Sequence, residues 1–204
     1  MKGVEGSMRL PDGYIDLPAG KLANVATSLE MHERPAPRPD PPGAAGTLTR
    51  LENPDPDRYR RLFRRVGGPY LWSSRLALGE EALARILADP RVEIYALKSD
   101  DDEIGFLELD FRFGDECEIA FFGLVESAIG SGNGRLLMNR AIERAWSQPI
   151  RRLWMHTCTL DHPDAMAFYV RSGFRPFKRQ IELYDDPRLI GLLPRTAAPQ
   201  VPLL

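Results

Sequence analysis

The stretch Cys117–Arg135, CEIAFFGLVESAIGSGNGR, decides the fold that this sequence predicts. Its first half, Glu118–Val125, is rich in aromatic and branched residues, which is typical of a buried strand. Three glycines follow at alternate positions and open a predicted helix: Gly130, Gly132 and Gly134. Such a turn can bring several backbone N–H groups to an anion, and the helix N-terminus adds its positive dipole end. The stretch therefore predicts a phosphate or pyrophosphate site, although glycines in a tight turn are as often purely structural.

Two common phosphate-binding motifs do not match this turn. A Walker loop ends in Gly-Lys-Ser/Thr, whereas Gly134 is followed by Arg135 and Leu136. A dinucleotide fingerprint needs GxGxxG early in a βαβ unit and an acidic residue about twenty positions later. Here the spacing is GxGxG and no acidic residue follows at the right place.

The turn resembles the acetyl-CoA-binding motif of the GNAT N-acetyltransferases, Arg/Gln-x-x-Gly-x-Gly/Ala. Residues Ile129–Gly134 match it except at Ile129, where the family usually has Arg or Gln. Downstream, Leu160–Phe174, LDHPDAMAFYVRSGF, resembles the family's second motif, a short helix with Ala-x-x-x-Tyr that ends in Gly-Phe. The resemblance covers about residues 47–184. It implies the α+β acyl-CoA N-acyltransferase fold, with a central mixed, mostly antiparallel sheet flanked by helices.

The composition excludes several other classes of protein. The chain has 204 residues, a formal net charge of −2 and 43% hydrophobic residues, which suits one domain with extensions. The near-neutral charge gives no reason to expect nucleic acid as a partner. Cys117 and Cys158 are too few for a disulfide scaffold, and no Cys/His cluster has zinc spacing. With no apolar run of membrane length and no signal-peptide pattern, we expect a soluble cytoplasmic protein without a metal.

The pattern of the chain predicts three parts. They are an N-terminal extension with a Pro-rich linker (1–43), a GNAT domain (44–185) and a C-terminal tail (186–204). Within the extension, Gly13–Leu17 and Asn24–Met31 are predicted as short strands, forming a family-specific addition or an extra edge strand. Pro35–Pro42, with five prolines in eight residues, is predicted as a stiff linker.

The domain is predicted to alternate strands and helices in the GNAT order. Strands are expected at Thr47–Leu51, Val92–Lys98, Ile104–Phe113, Cys117–Val125, Ile150–Cys158 and within Phe174–Tyr184, which holds one or two. Helices are expected at Asp57–Val66, Glu80–Ala88, 134–147 and Pro163–Ser172.

The resemblance also assigns residues to acetyl-CoA. The end of the strand would lend backbone groups to the pantetheine arm, and the turn would hold the pyrophosphate. The residues implied are Phe122, Gly123, Leu124, Val125, Ile129, Gly130, Ser131, Gly132, Asn133, Gly134 and Arg135. His162 stands where the family often has an Asn that contacts the pantetheine, although Asp161 and His162 equally fit a helix N-cap.

Two residues are candidates for catalysis. Glu118 lies on an otherwise hydrophobic strand, where some members have a glutamate that deprotonates the amine directly or through water. Tyr169 stands where many members have a tyrosine that protonates the departing thiolate. The alternatives are an exposed strand glutamate and a core tyrosine, and both remain open.

The loop Gly67–Arg75, GGPYLWSSR, is the candidate acceptor site. Tyr70 and Trp72 could grip an apolar or cationic body, and Arg75 could pair with a carboxylate. The opposing interpretation is that Trp72 packs under the preceding basic helix and that Arg75 is solvated.

Together these observations predict an N-acetyltransferase that moves the acetyl group from acetyl-CoA to a primary amine of a small molecule, such as an amino acid. Transfer would be direct, in a ternary complex. The expected partners are acetyl-CoA and the amine, with no nucleic acid and no membrane, and the chain could be a homodimer. Competing hypotheses are a non-catalytic acyl-CoA-binding or regulatory module, a transferase for another acyl-CoA or a hydroxyl acceptor, and an interaction domain whose turn binds nothing.

Overall fold

The structure, a computed structural model, describes residues 12–44 and 46–204. Its strands are β1 (Lys21–Met31), β2 (Thr47–Arg50), β3 (Val92–Ser99), β4 (Asp102–Asp110), β5 (Glu116–Leu124), β6 (Arg152–Cys158) and β7 (Arg175–Asp185). Its helices are α1 (Pro56–Gly67), α2 (Glu80–Leu87), α3 (Asn133–Ala145) and α4 (Ala165–Arg171), with 3-10 turns at Gly68–Tyr70 and Glu126–Ala128. The predicted α+β fold with a mixed, mostly antiparallel sheet is confirmed.

One predicted strand is wrong and another is longer than expected. Residues 12–20 contain no strand, so the expectation for Gly13–Leu17 fails. The side chains of Tyr14, Ile15 and Leu17 are exposed, and without a neighbouring strand their alternation has no sheet to face. The strand predicted at Asn24–Met31 forms and begins earlier, at Lys21.

The sheet has the order β2-β3-β4-β5-β6-β1-β7. All neighbours are antiparallel except β5 and β6, which are parallel. β1 therefore lies inside the sheet between β6 and β7, although the sequence suggested an addition at its edge. Leu29 and Met31 of β1 are buried, so the first strand contributes to the core.

The parallel pair splits after three residues. Only Glu116–Glu118 of β5 pair with Arg152–Trp154 of β6, although both strands continue beyond this point. β5 also has a bulge, since Glu108 faces Phe121 while Leu109 faces Ile119, leaving one extra residue between them. A bulge bends its strand and increases the local twist. The sheet consequently opens between β5 and β6 on the carboxyl side of Glu118.

Helices cover both faces of the sheet. Glu108 of β4 bonds Tyr59 of α1, so its face is called the α1 face. Glu93 of β3 bonds Arg144 of α3 on the opposite side, called the α3 face. Since paired residues point to the same side, Glu118 and Phe121 lie on the α1 face and Phe122 lies on the α3 face.

The beginning of α1 follows from its sequence. Asp55 accepts the backbone N–H of Arg58 at 3.1 Å, and Pro56 occupies the first turn, where its missing N–H costs nothing. The apolar side of the helix packs Phe63 against Phe106 and Phe121, with Trp72 beside them. This aromatic cluster fixes the loop after α1 against β5.

The Pro-rich linker packs on α3. Asn139 of α3 donates to the carbonyl of Arg38 at 3.0 Å and to Asp40 at 2.9 Å, and Arg140 also pairs with Asp40. The linker thus leads from β1 across α3 to the glycine turn, where Pro41 lies against Gly132.

The C-terminal tail folds around one buried ion pair. Arg188 binds Asp186 at 2.7 Å and donates to the carbonyl of Val201 at 2.8 Å. Gln200 of the tail donates to the carbonyl of Pro69 at 3.1 Å. The tail therefore contacts the loop that the sequence predicts as the acceptor site.

Candidate active site

A cavity of about 450 Å³ lies on the carboxyl side of the split between β5 and β6. It is bounded by the end of β5, the glycine turn, the loop before α4 and α4 itself. Its lining residues are Tyr70, Trp72, Phe122, Gly123, Leu124, Ile129, Gly130, Gly132, Gly134, Arg135, Asp161, His162, Asp164, Ala165, Phe168, Tyr169 and Arg171. Two motifs that are far apart in the sequence thus share one cavity.

The glycine turn presents backbone donors beside the cavity. Gly130 and Gly132 have φ angles of 83° and 86°, a left-handed conformation that L side chains rarely adopt. The N–H groups of Gly130, Ser131 and Gly132 have no acceptor within the described part of the chain. Since α3 begins at Asn133, these donors lie at the positive end of a helix dipole.

Three guanidinium groups gather next to this turn. Arg135 lies over the ring of Phe168 at 4.8 Å and donates to Ser172 at 2.9 Å. Arg38, from the linker, donates to the carbonyl of Arg171 at 2.6 Å. Burial, together with the charges of Arg38 and Arg171, lowers the pKa of Arg135. None of the three pairs with a carboxylate among residues 12–44 and 46–204, so the cluster carries a net positive charge.

Tyr169 reaches the cavity from α4. Its ring packs edge-on against Phe122 at 6.0 Å, and only 7% of the residue is exposed. Burial, with a smaller contribution from the charge of Asp161, raises its pKa well above the ordinary value. The phenol therefore keeps its proton at neutral pH and can act as an acid.

Trp72 connects the loop after α1 to the loop before α4. Its indole N–H donates to Asp161 at 3.1 Å. The same carboxylate accepts from the hydroxyl of Thr157 at 2.7 Å and the N–H of Cys158 at 2.9 Å. A Cβ at Gly67 would lie 2.3 Å from the indole and one at Gly123 would lie 3.2 Å from it, so both glycines make room for Trp72.

Glu118 lies on the α1 face at the last paired position before the split. Its side chain is 13% exposed, and its carboxylate is 3.7 Å from Nδ1 of His156 on β6, which is half-exposed. The interaction with the neighbouring Glu118 carboxylate raises the pKa of His156, and burial opposes that effect. Glu118 does not line the cavity.

Arg75 lies in a buried network beneath α1. It donates to Glu108 at 2.6 Å, and Tyr59 donates to the other oxygen of that carboxylate at 2.5 Å. Glu108 has no exposed surface, and the guanidinium of Arg75 stacks over Phe121 at 5.1 Å. Burial is the largest single influence and lowers the pKa of Arg75, but the charge and hydrogen-bond interactions with Glu108 and Tyr59 together outweigh it, and the net shift is upward. The structure thus pairs Arg75 with a core carboxylate and leaves it out of the cavity.

A sequence model described as the Acetyltransferase (GNAT) family matches residues 57–174, more than half of the chain. The chain belongs to the GNAT family. A search of curated proteins found no match. GNAT enzymes in general use an acyl-CoA as co-substrate, and the matched range contains both the glycine turn and α4.

Solved structures share the GNAT fold at low sequence identity. A GNAT-family protein from Novosphingobium aromaticivorans is 16% identical with a TM-score of 0.55, covering 84% of this chain and 70% of that one. A GCN5-related N-acetyltransferase from Kribbella flavida is 17% identical with a TM-score of 0.52, covering 84% and 63%. A protein of unknown function from Staphylococcus epidermidis is 12% identical with a TM-score of 0.53, covering 82% and 63%. The chain thus spans less than two thirds of the length of two of these three.

The residues that the GNAT motif assigned to acetyl-CoA fall into two groups. The larger group lines the cavity and is included among the lining residues named above. The remaining three do not line it: Val125, Ser131 and Asn133. The N–H of Val125 bonds Ile104, and Asn133 accepts from the N–H of Gly46 at 3.2 Å. The N-cap of α4 is Asp164 and receives no side-chain capping bond, so the capping alternative for Asp161 and His162 is wrong. His162 accepts from the N–H of Asp164 at 3.2 Å, and Asp161 bonds Trp72, Thr157 and Cys158.

Residues near the GNAT site that were not predicted include Arg38, His156, Asp161 and Arg171. Asp161 and Arg171 lie inside the second GNAT motif, and their position there was the only available signal. Arg38 belongs to a linker remote in sequence, and nothing local indicates that it reaches Arg171. His156 faces Glu118 only because β5 and β6 are parallel neighbours.

No helix among the described residues is long and apolar enough to cross a membrane. Within the same residues, no group of three or more His, Cys, Asp or Glu side chains is arranged to hold a metal ion.

Proposed function

We propose that this GNAT protein is an N-acetyltransferase that moves the acetyl group of acetyl-CoA to a primary amine of a small molecule, directly and in a ternary complex. The observation that carries the proposal is the cavity at the split, where the glycine turn, Arg135, Arg171 and the buried Tyr169 meet. Family membership supports the reaction class, and the arrangement of these groups supports the co-substrate.

The cavity suits the parts of coenzyme A. Its phosphates are anionic, and the turn offers three N–H groups that have no acceptor among the described residues. Arg135 and Arg171 line the cavity, and Arg38 donates to the carbonyl of Arg171. Beyond Glu118, β5 has no β6 partner, so its backbone groups facing the split are available to an extended chain such as the pantetheine arm. The apolar rings of Phe122 and Phe168 line the same cavity.

In this proposal, acetyl-CoA supplies an activated acetyl thioester. The amine nitrogen bonds to the carbonyl carbon and loses a proton, the carbon–sulfur bond breaks, and the thiolate receives a proton. Glu118, directly or through water, would accept the proton of the amine, and Tyr169 would donate its phenolic proton to the sulfur. Glu118 and Tyr169 lie on opposite faces of the sheet, which suits a base on the amine side and an acid on the thiol side of the split.

The amine would enter from the α1 face. Tyr70 and Trp72 border the cavity there, and aromatic rings bind apolar or cationic groups. Arg75 is occupied by Glu108, so we assign the recognition of the amine to Tyr70, Trp72 and Glu118.

The decisive test is to measure acetyl-CoA turnover over a panel of small amines, detecting the free thiol, together with calorimetry of CoA binding. We expect saturable CoA binding and acetylation of at least one amine that carries an apolar or aromatic group. Binding without any turnover would favour the non-catalytic acyl-CoA-binding alternative, and absence of binding would refute both.

The binding position is tested at Gly134. Replacing Gly132 would be ambiguous, because a Cβ there would lie 2.9 Å from Pro41 and the φ angle is left-handed. At Gly134 the nearest atom to a Cβ is Leu124 at 3.7 Å, so Gly134→Val should fold normally while projecting into the cavity. Losing one or two charge-assisted hydrogen bonds, about 1.5–3 kcal/mol each, should raise the Kd for CoA by roughly tenfold or more. Gly79→Val, at the start of α2 with open space around it, is the matched control.

A further inference from the structure

β7 is the outermost strand of the sheet and is exposed along almost its whole length. It pairs with β1 on one side, and no strand among residues 12–44 and 46–204 pairs with its other edge. Every residue of its eleven except Tyr184 is exposed. A long, flat, open edge offers a row of unpaired backbone groups to another strand, and proteins usually shorten or cover such edges.

The same strand exposes apolar side chains on one face. Ile181 is 56% exposed and Leu183 51%, and Val25 of β1, which pairs with Ile181, is 40% exposed. These three residues lie side by side on the outer part of the sheet. A contiguous apolar patch next to an open edge is typical of a protein contact surface.

The sequence of β7, RPFKRQIELYD, is complementary to its own reverse. A two-fold axis perpendicular to the sheet at Gln180 would pair the strand antiparallel with a second copy of itself. Lys178 would then face Glu182, and Arg175 would face Asp185, each twice because of the symmetry. The aromatic ring of Phe177 would face Leu183.

Other symmetric registers lack this complementarity. An axis at Arg179 would place that arginine opposite itself, and an axis at Glu182 would do the same with two carboxylates. An axis at Ile181 would set Phe177 opposite Asp185 and create no pair of opposite charges. The register centred on Gln180 is therefore the one that the charges favour.

A bulge limits how far regular pairing extends. Ser28 faces Lys178 while Leu29 faces Pro176, so Phe177 is the extra residue of β7. The regular part of the strand begins at Lys178, which has no carboxylate partner within the described chain. Glu182 accepts from Asn24 at 2.9 Å and retains a second oxygen. The Lys178–Glu182 pair hence lies within the regular segment closest to the axis.

We propose that β7 pairs antiparallel with β7 of a second copy of this chain, making a two-fold homodimer with one continuous sheet. Ile181 of each copy lies diagonal to its symmetry mate, within reach across the axis. The Lys178–Glu182 pairs fix the register, and Ile181 and Leu183 supply apolar contacts between the two β7 strands. The inference does not depend on the acetyl-transfer proposal.

Charge reversal tests this arrangement directly. The full chain should sediment as a dimer, and the dimer dissociation constant should be measured by dilution in analytical ultracentrifugation. Lys178→Glu alone places two glutamates face to face, and Glu182→Lys alone places two lysines face to face. Each should raise the dissociation constant by about tenfold or more, since two attractive pairs become two repulsive ones. The double variant Lys178→Glu/Glu182→Lys exchanges the charges and should restore wild-type association.

Arg61→Glu, an exposed reversal on α1, is the control and should leave association unchanged. Circular dichroism and the Tm of each variant establish that the monomer remains folded. A wild-type chain that stays monomeric at about 100 μM, so that its dimer Kd is well above that concentration, would overturn the proposal. So would a dimer that neither single reversal weakens, or a double variant that stays dissociated.

Discussion

The polar and charged groups on the two faces of the sheet are arranged in different ways. On the α3 face, donors come from one continuous turn, from a helix start and from arginines on neighbouring surfaces. On the α1 face, Glu108, Tyr59 and Arg75 come from three separate elements and neutralise one another in the core. The first face keeps its charges free for an anion, whereas the second uses its charges to hold the fold.

Because of this difference, an arginine on the α3 face and an arginine on the α1 face have different roles. Arg135, Arg171 and Arg38 have no carboxylate partner among the described residues, so an incoming phosphate would remove an unfavourable repulsion. Arg75 already has its carboxylate, so an incoming acceptor would have to compete with Glu108. An arginine next to a cavity is a binding candidate only when its counter-charge is missing.

The largest expected effect concerns Arg75. Arg75→Ala leaves the buried carboxylate of Glu108 without its cation, which should lower the free energy of unfolding by about 3–5 kcal/mol in urea denaturation. Arg91→Ala, which breaks the exposed pair with Asp89, is the control and should leave the free energy of unfolding close to that of the wild type. A stable Arg75→Ala variant with a raised KM for the amine would instead make Arg75 an acceptor residue and remove the contrast between the faces.

Tyr169→Phe should reduce kcat by about 10²-fold if protonation of the thiolate limits the rate. Calorimetric CoA affinity should be unchanged, because the ring still packs against Phe122. Tyr95→Phe removes another buried hydroxyl, one that bonds Glu93, and should leave kcat near wild type. Equal losses in both variants would place Tyr169 among the packing residues.

Arg38→Ala should weaken CoA binding by roughly fivefold, corresponding to about 1 kcal/mol for one partly exposed charge contact. The effect should shrink with added salt, since exposed charges are screened. The KM for S-acetylpantetheine, which lacks the nucleotide phosphates, should not change. An equal loss with both substrates would mean that the linker only supports α3.

The smallest effect is a pH dependence at His156. Its pKa is raised above 6.5 by the interaction with the neighbouring Glu118 carboxylate, so the folded state binds the proton more tightly than the unfolded chain. The resulting stability is complete below pH 6.5 and is lost as the pH rises through the raised value. Because His156 is half-exposed, solvent screening keeps its contribution to the free energy of unfolding below about 1 kcal/mol.

Thermal unfolding of wild type and His156→Gln across this range checks the sign. The Tm difference should be largest at low pH and should disappear at high pH. A difference that grows with pH would show that Glu118 and His156 do not pair as described.

The sequence predicts the α3 face better than the α1 face for a physical reason. The glycine turn, α3 and α4 are local structures. Their positive φ angles, their helix starts and the end of α4 at Gly173 can each be predicted from residues a few positions apart in the sequence. The partner of Arg75 lies on another strand, and no spacing rule connects the two. The position of β1 inside the sheet was not predicted either, since the alternation of apolar and polar residues along a strand does not indicate which strands it pairs with.

β1 also determines when the sheet can close. Its Val25 donates a backbone hydrogen bond to Thr159, 134 residues further along the chain. On the ribosome, this strand emerges first and must wait for β6 before it finds a partner, and β7 can dock only after β1 is in place. Strand pairings between residues so far apart in sequence form slowly, because the entropy cost of closing the loop comes before the stabilising contacts are made. Folding of the last two strands should therefore be a late event that synthesis of nearly the whole chain must precede.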